Sequence, residues 1–295
     1  MFVKHVLLRD LQTYRNLKGA ISNDLRGWNY ARAPIKPPVV DVKVSVSAIA
    51  NSVCPTMRDV YMRHVEKVQP EDNSATLLGK KIHAVFKTIA EDARTIVSSS
   101  AVEDIEDLFL ALIARSEEML SEEEILLRNL YKKLAFRIAH ACERYLEDQT
   151  FNQTLSDALN AVIPSNFEYK INGSPIGLSD GIHVDAMIWG IPIELKLGKE
   201  REKHKVALVG YAMAIEASEG YPVDMGILVN VVVEGNSRVR IKDKTIYFDD
   251  DLRALFIELR NDALEVVASG TDPGMPASCP EYCYFYSVCH GGNSK

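Results

Sequence analysis

Hydrophobic positions change their period along the chain. From residue 47 to about 162 the apolar side chains recur at helical spacing, as in Leu134-Ala-Phe-Arg-Ile-Ala-His-Ala-Cys142-Glu-Arg-Tyr145. Ser47 and Ser121 are the expected N-caps, and Ser121-x-x-Glu124 has the form of a capping box opening a long amphipathic run toward Leu146. Between Phe167 and Tyr247 the period becomes that of strands, interrupted by one helix from about Glu202 to Ala217. The pattern predicts a strand hairpin, a helix, and a second hairpin turning at Glu234-Gly-Asn236. A last helix, from about Asp249 to Ala268, precedes a turn-rich tail. Residues 1–46 read as an arm and linker, through Pro34-Ile-Lys-Pro37-Pro38, followed by the alternating, extended Val39 to Val46. The expected class is α/β of the α+β kind, a mixed sheet flanked by helices. It divides into an N-terminal arm (1–46), a helical region (47–163), a strand-bearing core (164–270) and a C-terminal cysteine tail (271–295).

Composition adds little to this picture and charge adds more. The 295 residues are 47% hydrophobic and 25% charged, enough for a sizeable core. No run of eighteen apolar residues is present, so a cytoplasmic protein with no membrane partner is expected. The net charge of −7 is uneven: residues 91–124 carry eleven acidic side chains against Arg94 and Arg115. The first 44 residues hold eight Lys or Arg against three Asp, and Lys196 to Lys205 holds five against Glu200 and Glu202. Local basic surface of this kind supplies phosphate contacts whatever the total charge.

Two constellations carry chemistry. The first is the hairpin Ile182-His-Val-Asp185-Ala-Met-Ile-Trp-Gly190-Ile-Pro-Ile-Glu194-Leu-Lys196. A two-residue turn at Trp189-Gly190 sets Asp185 opposite Glu194 and His183 opposite Lys196 on one face. Two carboxylates so close repel unless a divalent cation bridges them, and Mg²⁺ or Mn²⁺ suits hard oxygen ligands. Lys196 is placed to orient or deprotonate an attacking water, or to offset charge on a phosphate. Asp180 competes for the aspartate position but falls beyond the pairing, opposite Lys199.

The second constellation is a set of cysteines, Cys279-x3-Cys283-x5-Cys289 with Cys54 as the best fourth ligand. Cys54 precedes Pro55 in a turning segment, whereas Cys142 sits at a core position of a helix. In a reducing compartment such thiols read as metal ligands, and four of them suit either zinc or a 4Fe-4S cluster. A cluster would close a loop of 279 − 54 = 225 residues, whose closure costs a free chain roughly 5 kcal/mol.

An Asp, then Glu-x-Lys on the second strand of a hairpin, then a helix, resembles the PD-(D/E)xK nuclease superfamily with its restriction-endonuclease-like core. Gly79-Lys-Lys-Ile-His83 is similar to the Gly-x-x-x-His of its RecB-type branch, and Tyr211 matches the tyrosine of that branch's Gln-x-x-x-Tyr helix. One Cys before these motifs and three after them resemble the iron-sulfur exonucleases of the CRISPR adaptation module, in particular the archaeal variant. This resemblance implies that His83, Asp185 and Glu194 bind Mg²⁺ or Mn²⁺ with Lys196 catalytic. It implies that Cys54, Cys279, Cys283 and Cys289 hold a 4Fe-4S cluster. The implied substrate is DNA with single-stranded ends or overhangs, in spacer acquisition, with integrase subunits as partners; the other reading is a weak nuclease fold that binds DNA ends as a scaffold. The glutamine falls at Ala207, its contact left to His204 or Lys205, and the tail has Cys-x3-Cys where Cys-x2-Cys is commoner. The helical region is expected to wall a strand channel, with Tyr61 or Phe86 as candidate stacking aromatics. The motifs span residues 45–292 and leave the first 44 outside.

Overall fold

The computed structural model describes residues 4–69, 74–99, 102–119, 125–147, 153–235, 237–280 and 283–291. The expected Ser121–Glu124 capping box and Asn236 of the second turn lie outside them. At the centre is a five-stranded mixed sheet in sequence order, formed by β1 (Asn166–Ile171), β2 (Ile182–Ile188), β3 (Ile191–Leu197), β4 (Met225–Glu234) and β5 (Arg238–Tyr247). β1 to β3 form an antiparallel meander and β4 pairs with β5 antiparallel. Between them β3 and β4 run parallel, because helix α8 (Glu202–Glu219) carries the chain back across the sheet.

Each face of the sheet is covered. One packs on α8, on α2 (Val46–Asn51) and on α9 (Asp250–Ser269), through Val184, Met187, Leu228 and Ile246 among others. The other carries Ala186, Ile193, Leu195, Ile227 and Val229, and meets Leu7 of α1 (Lys4–Lys18) and Phe86 of α4 (Ser74–Ser98). Alternation does not hold throughout: on β2 Val184 and Ala186, two residues apart, fall in opposite sets, so the strand's alternation is broken at Asp185. The helical region consists of α3 (Arg58–His64), α4, α5 (Ile105–Met119), α6 (Ile125–Glu147) and α7 (Leu155–Val162). Its core, from Ile82 and Leu112 to Ile138 and Leu159, reaches the sheet at Val231 and Val239.

The N-terminal stretch is not an arm. Ile35 and Val44 are fully buried, and the extended segment expected over 39–46 reduces to a single bridge between Val44 and Leu178 before α2 begins. Ser45 caps α2 by accepting from the Ala48 N–H at 3.1 Å; the expected cap, Ser47, lies inside the helix. Arg26, 8% exposed, meets Glu216 at 2.7 Å and Asp224 at 2.5 Å, and Arg253, fully buried, holds Glu216 from the other side at 2.8 and 2.9 Å. The Glu216 carboxylate also accepts from the Gly27 and Val223 N–H groups, so its buried charge is fully paired.

Candidate active site and cysteine pocket

The β2–β3 turn places Trp189 at φ 50° and Gly190 at φ 78°, the left-handed pair that a two-residue hairpin of primed type requires. From there the strands pair at Ile188–Ile191, Met187–Pro192 and Ala186–Ile193. Beyond Ala186 they part, and the Asp185 carboxylate, instead of a carbonyl, accepts the Leu195 N–H at 2.6 Å. Opposite Asp185 on the other side, Glu168 of β1 sits at φ 50°, a left-handed kink at the step between Phe167 and Tyr169. The hairpin therefore opens around Asp185, and His83 of α4 enters, with Nδ1 3.4 Å from Asp185 Oδ1. Lys196 Nζ lies 2.5 Å from Glu194 Oε1.

His83, Asp185, Glu194 and Lys196 thus gather in one place, and their electrostatics are mutually dependent. Burial opposes charge on His83, yet the hydrogen bond and charge of Asp185, with the charge of Glu194, together outweigh it and raise the imidazole pKa. Burial also works against ionised Asp185, but His83, Lys196 and the Leu195 N–H together keep its pKa below the usual carboxylate range. Glu194 goes the other way: burial, then the Asp185 charge, push it to about 7 despite Lys196. The two carboxylates are thus driven apart, Asp185 toward the ionised form and Glu194 toward the protonated one. Glu194 Oε2 is buried without a hydrogen-bond partner among the described residues, a costly state that a cation beside Asp185 would relieve. Lys196 is half-buried, and Glu194 and Asp185 outweigh the desolvation and raise its pKa.

His183 is not part of this cluster: it is exposed, pairs with Lys170 of β1, and stands at the rim. Asp180 is exposed in a loop, bound by Lys43 and Ser174. Tyr211 is buried on α8, its pKa raised by burial and then by the charges of Glu194 and Asp185. Ala207 is in the core, Lys205 pairs outward with Glu202, and His204 lines the cleft in neutral form, lowered to about 4 chiefly by burial.

His83, Asp185 and Lys196 line a cleft of about 780 Å³ between α4, the β2–β3 edge and the start of α8, with Glu194 buried beside them. Lys80, Lys87, Lys199 and Arg201 stand around it, a basic lining in an acidic protein. Tyr61 and Phe86 do not reach it. Tyr61 is buried and donates to Glu66, and Phe86 lines a separate apolar cavity of about 30 Å³ behind the sheet.

Cys54, Cys279, Cys283 and Cys289 meet beneath α3. Cys279, Cys283 and Cys289 share an apolar cluster with Tyr61, Met62 and Phe285. Asp59 fixes the turn at Cys54 by accepting from Ser52 Oγ and from the Val53 and Cys54 N–H groups. Burial pushes the Cys283 and Cys289 thiols up, and Cys279 and Cys54 are near enough to add to both shifts. Arg58 opposes the shift at Cys289, and Lys203 of α8 senses Cys54. Four soft donors, apolar walls and two adjacent cations fit a polynuclear thiolate centre. Among the described residues no three His, Cys, Asp or Glu side chains already stand at metal-binding geometry, here or at the carboxylates. Cys142 lies apart in the helical core, its thiol pushed up to about 12 by burial.

The family described as CRISPR-associated exonuclease Csa1 matches residues 1–293. A protein of that name from Thermoproteus tenax is 34% identical over 269 residues, 91% of either chain. Another from Saccharolobus solfataricus is 31% identical over 286 residues, 94% of either chain. The match includes the first 44 residues, in keeping with the burial of Leu7, Ile35 and Val44.

Proposed function

Because the chain belongs to the CRISPR-associated exonuclease Csa1 family, we propose that it is a divalent-metal-dependent deoxyribonuclease that degrades DNA from single-stranded ends. The observation that carries this reading is the buried Glu194 Oε2, with no hydrogen-bond donor among the described residues, in a carboxylate that interacts with Asp185 of a basic cleft. His83, Asp185 and Glu194 would hold Mg²⁺ or Mn²⁺. A cation held there supplies a Lewis acid for the phosphate and lowers the pKa of an attacking water. Lys196, kept charged by two carboxylates, is an electrostatic partner for the phosphate rather than the base that takes the water's proton. Lys80, Lys87, Lys199 and Arg201 line the path for the neighbouring phosphates.

Cys54, Cys279, Cys283 and Cys289 would hold a 4Fe-4S cluster that fastens the tail to α3 and the turn before it. The biological setting in keeping with the family name is the trimming of spacer precursors beside the integrase subunits of CRISPR adaptation. Among the described residues no helix is long and apolar enough to cross a membrane.

The test is incubation of anaerobically purified protein with end-labelled single-stranded DNA, with Mn²⁺, Mg²⁺ or chelator. Degradation that requires the cation, spares circular DNA and falls at least about 100-fold in Glu194→Ala is expected. Intact DNA from protein with a full cluster would replace this reading with a DNA-end-binding scaffold.

A further inference from the structure

Tyr284 stands between the two candidate centres. Its neighbours in sequence are anchored: Cys283 is 8% exposed and Phe285 2%, the latter under the Arg63 guanidinium at 5.9 Å. Tyr284 itself is 48% exposed. It lines the cleft over the carboxylates, and it also borders the small pocket formed by Asn51, Asp59 and Cys283. Its hydroxyl is near enough to Lys196 to act on that ammonium electrostatically. Phe167, which also lines the cleft, is half-buried and packs into the core of the sheet. A large exposed ring on a short segment pinned at both ends, beside basic groups and facing a cleft, is the arrangement that stacks a nucleobase.

We propose that Tyr284 is a substrate-positioning residue, on which a base of single-stranded nucleic acid stacks while an adjacent phosphate lies at His83, Asp185, Glu194 and Lys196. The proposal rests on the nuclease reading and assigns the tail a second task, presenting this ring to the strand. A duplex base is already stacked on both sides and does not offer its face, so the contact favours single strands.

The experiment uses cluster-loaded protein purified without oxygen, with Ca²⁺ replacing the activating cation, and labelled oligothymidylate read by fluorescence anisotropy. Tyr284→Ala should weaken binding roughly 5- to 100-fold, the loss of one base stack, while Tyr284→Phe stays within about twofold of wild type. With Mn²⁺, Tyr284→Ala should raise KM far more than it lowers kcat, and its visible cluster absorption should match wild type. Independently of any variant, wild type should bind an oligonucleotide that is abasic near its end more weakly, and Tyr284→Ala should not distinguish the two. Equal binding by wild type and Tyr284→Ala, or no abasic effect in wild type, overturns the proposal and leaves the nuclease reading intact. A wild type that neither binds nor cuts overturns both.

Discussion

At the scale of single residues, Glu194 shows how the site trades stability for binding capacity. Its carboxyl is raised in the folded protein, so the folded state holds its proton more tightly than the unfolded chain does. The stability this contributes is present below the unfolded carboxylate range and is lost as pH rises through about 7. Glu194→Gln should therefore stabilise the metal-free protein at pH 8, on the order of 1–3 kcal/mol, because an amide needs no proton to be neutral. Thermal unfolding in chelator checks this, and an unchanged or lower Tm for the variant would refute it. The same proton must leave when a cation binds, as must that on His83, whose pKa is raised by Asp185. Mn²⁺ affinity should fall roughly tenfold per pH unit below about 7 through Glu194 alone, and more steeply wherever His83 is protonated as well. Calorimetry in two buffers of different ionisation enthalpy counts those protons directly.

At the scale of elements, the hairpin was legible because alternation and the Trp189-Gly190 turn are local, and together they set Asp185 against Glu194. What alternation could not show is that the strands part at Asp185, which leaves His183 paired with Lys170 and admits His83 from α4. His83 was singled out only by the resemblance of Gly79-Lys-Lys-Ile-His83 to a family motif, since its place in the site depends on how α4 crosses the sheet. The prolines of the first segment suggested a linker, yet they stiffen a stretch whose Ile35 is fully buried. Nothing local marks Gly27, which presses on α8 so closely that a Cβ would stand 1.9 Å from the Met213 carbonyl oxygen. Gly27→Ala must lift that turn and pull its N–H from Glu216, so it should cost about 3 kcal/mol or more. A Tm within a degree of wild type would show that the turn is not seated as described.

At the scale of the whole molecule, two long-range devices bind the ends of the chain to its middle. The first is the buried network of Arg26, Glu216, Arg253 and Asp224, whose members are far apart in sequence and have no signature in a local window. Glu216→Ala leaves the fully buried Arg253 without its carboxylate and should destabilise by roughly 3–5 kcal/mol. Loss of a cooperative unfolding transition would be the severe form of that result, and an unchanged midpoint in urea would exclude the role. The second device is the cysteine pocket. That these cysteines come near one another was legible because cysteines are rare and spaced, but the placement of Tyr284 was not, and Tyr61 and Phe86 stood in its place. A tyrosine in a tail has no periodic pattern to mark it, and its direction is decided by the buried residues on either side.

That placement also orders events in time. Lys196 leaves the ribosome 289 − 196 = 93 residues ahead of Cys289, roughly 5–20 s at ordinary rates of synthesis. During that interval a nascent chain can pair β2 with β3 and assemble its carboxylates, but Cys54 waits for its partners and the ring that would hold a strand has yet to appear. The carboxylates and lysines of the cleft are thus made first and Tyr284, the ring proposed to stack a base, last, so a half-made chain lacks that one contact.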